Sequence, residues 1–202
     1  MASGDAGTSG PAASQLTSLL ARSAAPHGGR RCPRPVLGVR LGLRAGELLG
    51  LSLPQADKRL LTLVETDGCF ADGVAVATGC RLGRRTLRLV DHGKIAATVV
   101  DTRIGRAFRL RPHPAARERA PDYAPGGPTC WQAQLLGYQA MPTDQLLQAT
   151  AVALTLPVEA LVGRSGLRVP CAGCGEESGN GREVIVARRP LCRSCAGGGY
   201  YR

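Results

Sequence analysis

Two Cys-x-x-Cys pairs close to the C-terminus constrain this chain more than any other feature. They are Cys171-Ala172-Gly173-Cys174 and, seventeen residues later, Cys192-Arg193-Ser194-Cys195. Each pair turns two sulfurs toward one point, and two such turns side by side complete the tetrahedron of four thiolates that a closed zinc site requires. A lone pair would leave a disulfide or a redox dithiol open; the duplication argues for metal. Small residues flank both pairs, Gly175 after the first and Ala196 to Gly199 after the second, and they leave room for backbone amides to approach the sulfurs. Between them Glu183 to Ala187 reads as one strand of a short hairpin. A four-thiolate zinc has no open position and activates no water, so it stabilises the segment around it and function is sought upstream.

With 202 residues, the chain has room for one ordinary domain and a small appendage. One Trp, four Tyr and two Phe make the core aliphatic and alanine-rich. The formal charge of +11 rests on 24 Arg against two Lys. Those arginines are scattered rather than striped, and few aromatics stand ready to stack on bases. Weak polyanion binding follows from the charge, but sequence-specific recognition does not. No run approaches the roughly eighteen apolar residues of a membrane helix, and no leader pattern opens the chain. Reduced cysteines in a metal pattern fit a soluble, cytoplasmic protein.

Residues 1–13 are Gly, Ser and Ala without periodicity and read as disordered. Ser14 to Arg22 reads as a short amphipathic helix and Pro26 to Pro35 as a loop. Val36 to Leu49 has helical spacing, and its three glycines imply close packing against another backbone. Strands are expected at Leu60–Thr66, Thr86–Asp91, Ile95–Val100 and Ala107–Leu110, with a helix over Asp72–Gly79. His92-Gly93 is the expected turn of a hairpin between the second and third strands. The five prolines between Pro112 and Pro128 mark residues 112–129 as a loop, with Trp131 packing it onto the core. Thr143 to Ala149 reads as a helix capped by Thr143, and Pro157 to Val162 as a helical turn. The fold class is therefore α+β: helices packed on an antiparallel sheet over residues 14–165, then a four-cysteine finger over residues 166–202.

Three motifs carry a resemblance: Asp67-Gly68-Cys69-Phe70-Ala71-Asp72-Gly73-Val74, Thr78-Gly79-Cys80-Arg81-Leu82-Gly83 and Asp91-His92-Gly93-Lys94. In this order, with the knuckles behind them, they are similar to the FmdE family of formylmethanofuran dehydrogenase, an α+β core frequently followed by a treble-clef zinc finger. The finger also resembles the DksA/TraR type. The family core opens with His-Gly-His-x-Cys-Pro-Gly, whose His and Cys face a pocket that can hold metal. Aligned on Cys32-Pro33, the two histidine positions fall on Gly28 and Arg30, and the final glycine on Arg34. His27 stands one residue from the first and substitutes for it if the loop bulges. The resemblance thus implies Cys32, Cys69, Asp72, Cys80 and His27 as core-pocket residues, alongside Cys171, Cys174, Cys192 and Cys195 as metal ligands.

Cys32, Cys69 and Cys80, with Asp67 or Asp72, are enough donors for a second metal. Alternatively Arg30, Arg31 and Arg34 activate Cys32 and form an anion site, or Cys69 and Cys80 are small buried apolar residues. His92 and Lys94 read as turn residues. The resemblance further implies an accessory protein of one-carbon or molybdopterin redox metabolism that pairs as a homodimer through its core and meets a protein partner through the finger. The competing reading is a zinc-finger interaction or regulatory protein with a degenerate core. No independent catalytic motif is present, which favours a subunit or accessory role over an enzyme acting alone.

Overall fold

The computed structural model describes residues 13–155, 157–162 and 166–200; the N-terminal segment expected to be disordered lies, up to residue 12, outside them. The chain divides into two compact units, one ending at Ala153 and the other beginning at Leu154.

The first unit is organised around one buried helix. Helix α1 (Ala13–Ala24) precedes a 3-10 turn, Ala25–His27, and then α2 (Pro33–Leu49) begins. The expected loop therefore ends earlier than Pro35: Pro33 and Pro35 lie in the first turn of α2, where the leading N–H groups have no helical partner and proline costs little. Helix α2 buries nearly its whole circumference, since α1, α3 (Cys69–Thr78) and α5 (Cys130–Ala140) all pack on it. Its glycines do what the sequence implies. A Cβ on Gly38 would fall on the Phe70 carbonyl oxygen and 2.8 Å from the Val74 nitrogen, and one on Gly42 would lie 2.6 Å from Ala77 Cβ. Gly46 approaches Leu51 and Leu53 in the same way. On the facing helix, Gly73 meets the backbone of Pro35.

The sheet is mixed, with strand order β2-β1-β3-β4-β5. The strands are β1 (Leu60–Val64), β2 (Leu87–Leu89), β3 (Ala97–Asp101), β4 (Ala107–Pro112) and β5 (Leu147–Ala151). The expected hairpin does not form: β2 pairs with β1 in parallel and β3 pairs with β1 antiparallel, so Thr62 lies opposite Leu87 on one side and Val99 on the other. Strand β1 is buried along almost its whole length and takes an inner position that satisfies both its backbone edges. The His92-Gly93 turn instead crosses the end of β1, where the His92 and Lys94 amides both donate to the Glu65 carbonyl.

Residues 112–129 are ordered rather than a loop. They form α4 (Ala116–Arg119) and a 3-10 turn, Ala120–Tyr123, with Ala116, Ala120 and Ala124 buried. Alanines perform the anchoring expected of Trp131, which stays 49% exposed. The helix expected over Thr143–Ala149 stops after α6 (Thr143–Leu146) and becomes β5, because the backbone of β4 has an open edge that Gln148 to Thr150 pair with. Thr143 does not cap it; its hydroxyl accepts from Arg40 Nη2 at 3.0 Å. Arg40 is 4% exposed and its guanidinium donates also to the carbonyls of Tyr138, Gln139 and Met141, so a cation from α2 satisfies the C-terminal end of α5.

Two carboxylates brace the sheet. Asp101 accepts from Arg59, and Glu65 accepts from Arg109 at 2.6 and 2.7 Å. The arginine hydrogen bonds hold both carboxyl groups below the usual carboxylate range. Groups ionised more readily in the fold than in the unfolded chain contribute fully above the unfolded value, about pH 4, and lose that contribution as the pH falls below it. The urea midpoint of unfolding is therefore expected to drop between pH 6 and pH 3, and less steeply in Arg59→Gln; equal slopes in the two proteins contradict the assignment.

The second unit contains α7 (Val158–Val162) and two hairpins, β6 (Arg168–Pro170) with β7 (Glu177–Gly179), and β8 (Val184–Val186) with β9 (Arg189–Leu191). The Glu183–Ala187 strand is thereby found as expected.

Candidate metal centre and core thiol site

Each hairpin of the second unit presents one cysteine pair. Cys171 and Cys174 lie in the turn between β6 and β7, while Cys192 follows β9 and Cys195 lies in a helical turn, Ser194–Gly198. The Ala172 amide donates to the Pro190 carbonyl at 2.8 Å and Arg189 donates to the Ala172 carbonyl, tying the two turns together. As a result the four sulfurs all lie within 4.8 Å of one another, and Cys174 and Cys192 are 3.9 Å apart. Tetrahedral zinc with Zn–S bonds of about 2.3 Å sets its sulfurs about 3.8 Å apart, so this spacing fits the ion.

Backbone amides point at the sulfurs. Gly173 and Cys192 donate to Cys171 Sγ at 3.3 and 3.1 Å, and Cys195 donates to Cys192 Sγ at 3.4 Å. The amide bonds, led by that from Cys192, lower the Cys171 thiol to about 6, while the neighbouring thiols, Cys192 first, push Cys195 up to about 12. One thiolate is thus stabilised by the backbone. Ionising Cys195 beside it is opposed by the neighbouring sulfurs, an opposition that a cation held among the four would relieve.

The core site arises from helix geometry. Pro35 meets Gly73, Gly38 meets Phe70 to Val74, and Gly42 meets Ala77 and Thr78, so α2 and α3 run parallel at backbone contact. Their N-termini therefore lie side by side. Cys32 is the residue that starts α2 and Cys69 the first of α3, so the two thiols are neighbours. Burial first, then Cys32 and Asp72, push the Cys69 thiol up. Asp72, one turn further along α3, receives His27 Nε2 on Oδ2 at 2.8 Å. His27 reaches Asp72 from the end of the 3-10 turn, which is followed by Gly28 and Gly29 at φ of 62° and 77°, left-handed conformations suited to glycine. Cys32, Cys69, Asp72 and His27 are thereby brought together.

Cys80 is not. It lies beyond the opposite end of α3, a helix of ten residues and so about 15 Å long. It is 2% exposed, with Sγ 3.4 Å from the Leu60 carbonyl oxygen and 3.3 Å from Thr62 Oγ1. Burial pushes its thiol up, as for a core residue. Asp67 is exposed at the surface. His92 is also exposed, with Nδ1 3.6 Å from Glu65, and belongs to the turn over β1.

Among the described residues, the four C-terminal cysteines are the group whose ligand atoms all converge within 4.8 Å. The core donors form two adjacent pairs instead, Cys32 with Cys69 and His27 with Asp72. Sequence reasoning missed α5, which borders the same region through Leu135 and Gln139. Its start was legible as a capping box, Thr129-x-x-Gln132, in which Thr129 Oγ1 accepts from the Gln132 amide at 3.2 Å.

The family model described as FmdE, molybdenum formylmethanofuran dehydrogenase operon, matches residues 27–159, from His27 through every core-site residue. The chain belongs to the FmdE family. Over 100 residues it is 40% identical to a protein of Archaeoglobus fulgidus described as a probable S-adenosyl-L-methionine-binding protein. That stretch is 48% of this chain and 27% of the relative, so the chain spans about a quarter of the relative's length. The FmdE fold is shared with an FmdE-like protein of tungsten formylmethanofuran dehydrogenase from Syntrophus aciditrophicus, whose crystal structure matches with a TM-score of 0.55 at 20% identity, covering 93% of this chain and 95% of that one. No helix among the described residues is long and apolar enough to cross a membrane.

Proposed function

We propose that this FmdE-family protein is a metal-binding accessory protein, linked to one-carbon or molybdopterin redox metabolism, in which the C-terminal unit is shaped by one zinc ion and the core thiol site does the chemistry. The convergence of Cys171, Cys174, Cys192 and Cys195 within 4.8 Å carries the first half. A tetrahedral all-sulfur set selects zinc or iron–sulfur, and a single closed site of two Cys-x-x-Cys turns favours zinc in a treble-clef arrangement. For the core, two thiols at the joined N-termini of α2 and α3, with a histidine and a carboxylate beside them, are the donor types of a second zinc-like ion. Such an ion would act there as a Lewis acid. Cys32 and Cys69 would hold it, with His27 or Asp72 completing the set, and Cys80 takes no part. The family description supports work alongside other proteins of a dehydrogenase operon.

The finger meets such a partner through Val184, Ile185 and Val186, consecutive aliphatics that are 38%, 64% and 45% exposed. The core pairs with a second copy, the free thiols suit a reducing cytoplasm, and the +11 charge adds weak polyanion affinity.

Metal analysis of the purified full chain tests this reading. Two equivalents per chain are expected, one of them lost in Cys69→Ser and retained in Cys80→Ser, with a sedimentation mass about twice 21.0 kDa. A single equivalent held entirely by the last four cysteines supports the competing reading, an interaction or regulatory protein with a degenerate core; a monomer mass contradicts the pairing.

A further inference from the structure

A cavity of about 290 Å³ lies beside Cys32, between α1, the start of α2 and α5. Its wall is mainly apolar, with Leu20, Val36 and Leu135 among the residues that form it. Of the neutral polar side chains that line it, the Thr17 and Ser23 hydroxyls donate to the Ala13 and Leu20 carbonyls and the Gln139 side-chain N–H to that of Leu135. No carboxylate lines it. Arg30 and Arg31 stand at its rim, both exposed, and neither forms an ion pair among the described residues. Cys32 is one of the residues that line it, so the residue that starts α2 borders both the cavity and Cys69.

An apolar interior with a doubly cationic rim and no counter-charge matches one class of ligand, and the size is near the lower end of small-molecule sites. We propose that this cavity binds a small amphipathic anion, its short aliphatic body against Leu20, Val36 and Leu135 and its carboxylate or phosphate head on Arg30 and Arg31. Bound there, the molecule covers Cys32. The proposal goes beyond the metal reading and does not depend on it, because none of the contacts it uses requires an ion at the thiol pair.

Titration calorimetry of the full chain with octanoate, octyl phosphate, octylamine and inorganic phosphate tests it. Both octyl anions are expected to bind, and their relative affinity identifies the preferred head group; octylamine and inorganic phosphate are expected not to bind. The anion affinity should fall about tenfold or more in the surface variant Arg30→Ala/Arg31→Ala, the loss of at least one charge-assisted contact. In Leu135→Trp, which fills the cavity, binding should disappear. In chelator-treated protein, where no ion masks the thiol, alkylation of Cys32 by iodoacetamide, followed in the peptide that carries it, should slow several-fold with octanoate present. Octylamine binding as tightly as octanoate, an affinity unmoved by the arginine substitutions, or Cys32 alkylation indifferent to the ligand would each overturn the proposal, whatever the metal content.

Discussion

Cys192→Ser is expected to release zinc and to unfold the C-terminal unit while the first unit keeps its melting transition. The reason lies in how little else holds that unit. Among its described residues the one buried side chain is Cys171, and the aliphatic side chains of β8 are exposed. Two short hairpins without an apolar core cannot offset their own chain entropy. The metal must supply the difference, and a structural zinc contributes on the order of 10–16 kcal/mol in isolated fingers. Serine keeps the shape of cysteine but offers no thiolate, which leaves three ligands and an open position. In a nitrogen-15 correlation spectrum, residues 168–199 should collapse toward random-coil shifts both in this variant and on addition of a strong chelator, and resonances of the unit ending at Ala153 should stay in place. Dispersed finger resonances that survive chelation would mean that the unit folds on contacts other than the metal.

Gly38→Ala is expected to destabilise the first unit by about 3 kcal/mol, at the upper end of the usual cost of overpacking. The added Cβ has backbone on the far side, the Phe70 carbonyl and the Val74 nitrogen, and backbone cannot rotate away as a side chain can. Helices α2 and α3 must therefore separate. At this size of domain 3 kcal/mol corresponds to a fall in Tm of about 6–12 °C. The same separation parts Cys32 from Cys69, since each is fixed at the start of one of the two helices. Mild oxidation of the native protein should yield a Cys32–Cys69 disulfide in peptide mapping, and the variant should yield markedly less. A variant with unchanged Tm and unchanged cross-linking would show that the helices are not in contact at Gly38.

What the sequence revealed about this fold was local, and what it concealed was decided by distant partners. Helix α2 was legible because its apolar spacing and its glycines report on one continuous segment. The finger was legible because cysteine spacing is itself the ligand geometry. The pairing of β2 with β3 was misread because the Gly-containing turn at His92-Gly93 is a local hairpin signal, whereas β1, buried on both edges, draws one strand to each side. β5 hid in a segment of helical character, Thr143 to Ala149, since its hydrogen bonds come from the open edge of β4, more than thirty residues away in sequence. The core site divided the same way. Cys32, Cys69 and Asp72 follow from motif positions and the parallel helices, while His27 depends on two left-handed glycines that no periodicity reports. Cys80 belongs to the next motif along the chain, and ten residues of rigid helix carry it into the core.

The closed thiolate character of the C-terminal site is tested most directly by zinc K-edge X-ray absorption on the Cys69→Ser full chain, in which the core contributes no ion. The expected shell is four sulfurs at about 2.3 Å with no lighter scatterer. A shell containing nitrogen or oxygen, or zinc absent from protein whose C-terminal unit is still folded, would contradict the account.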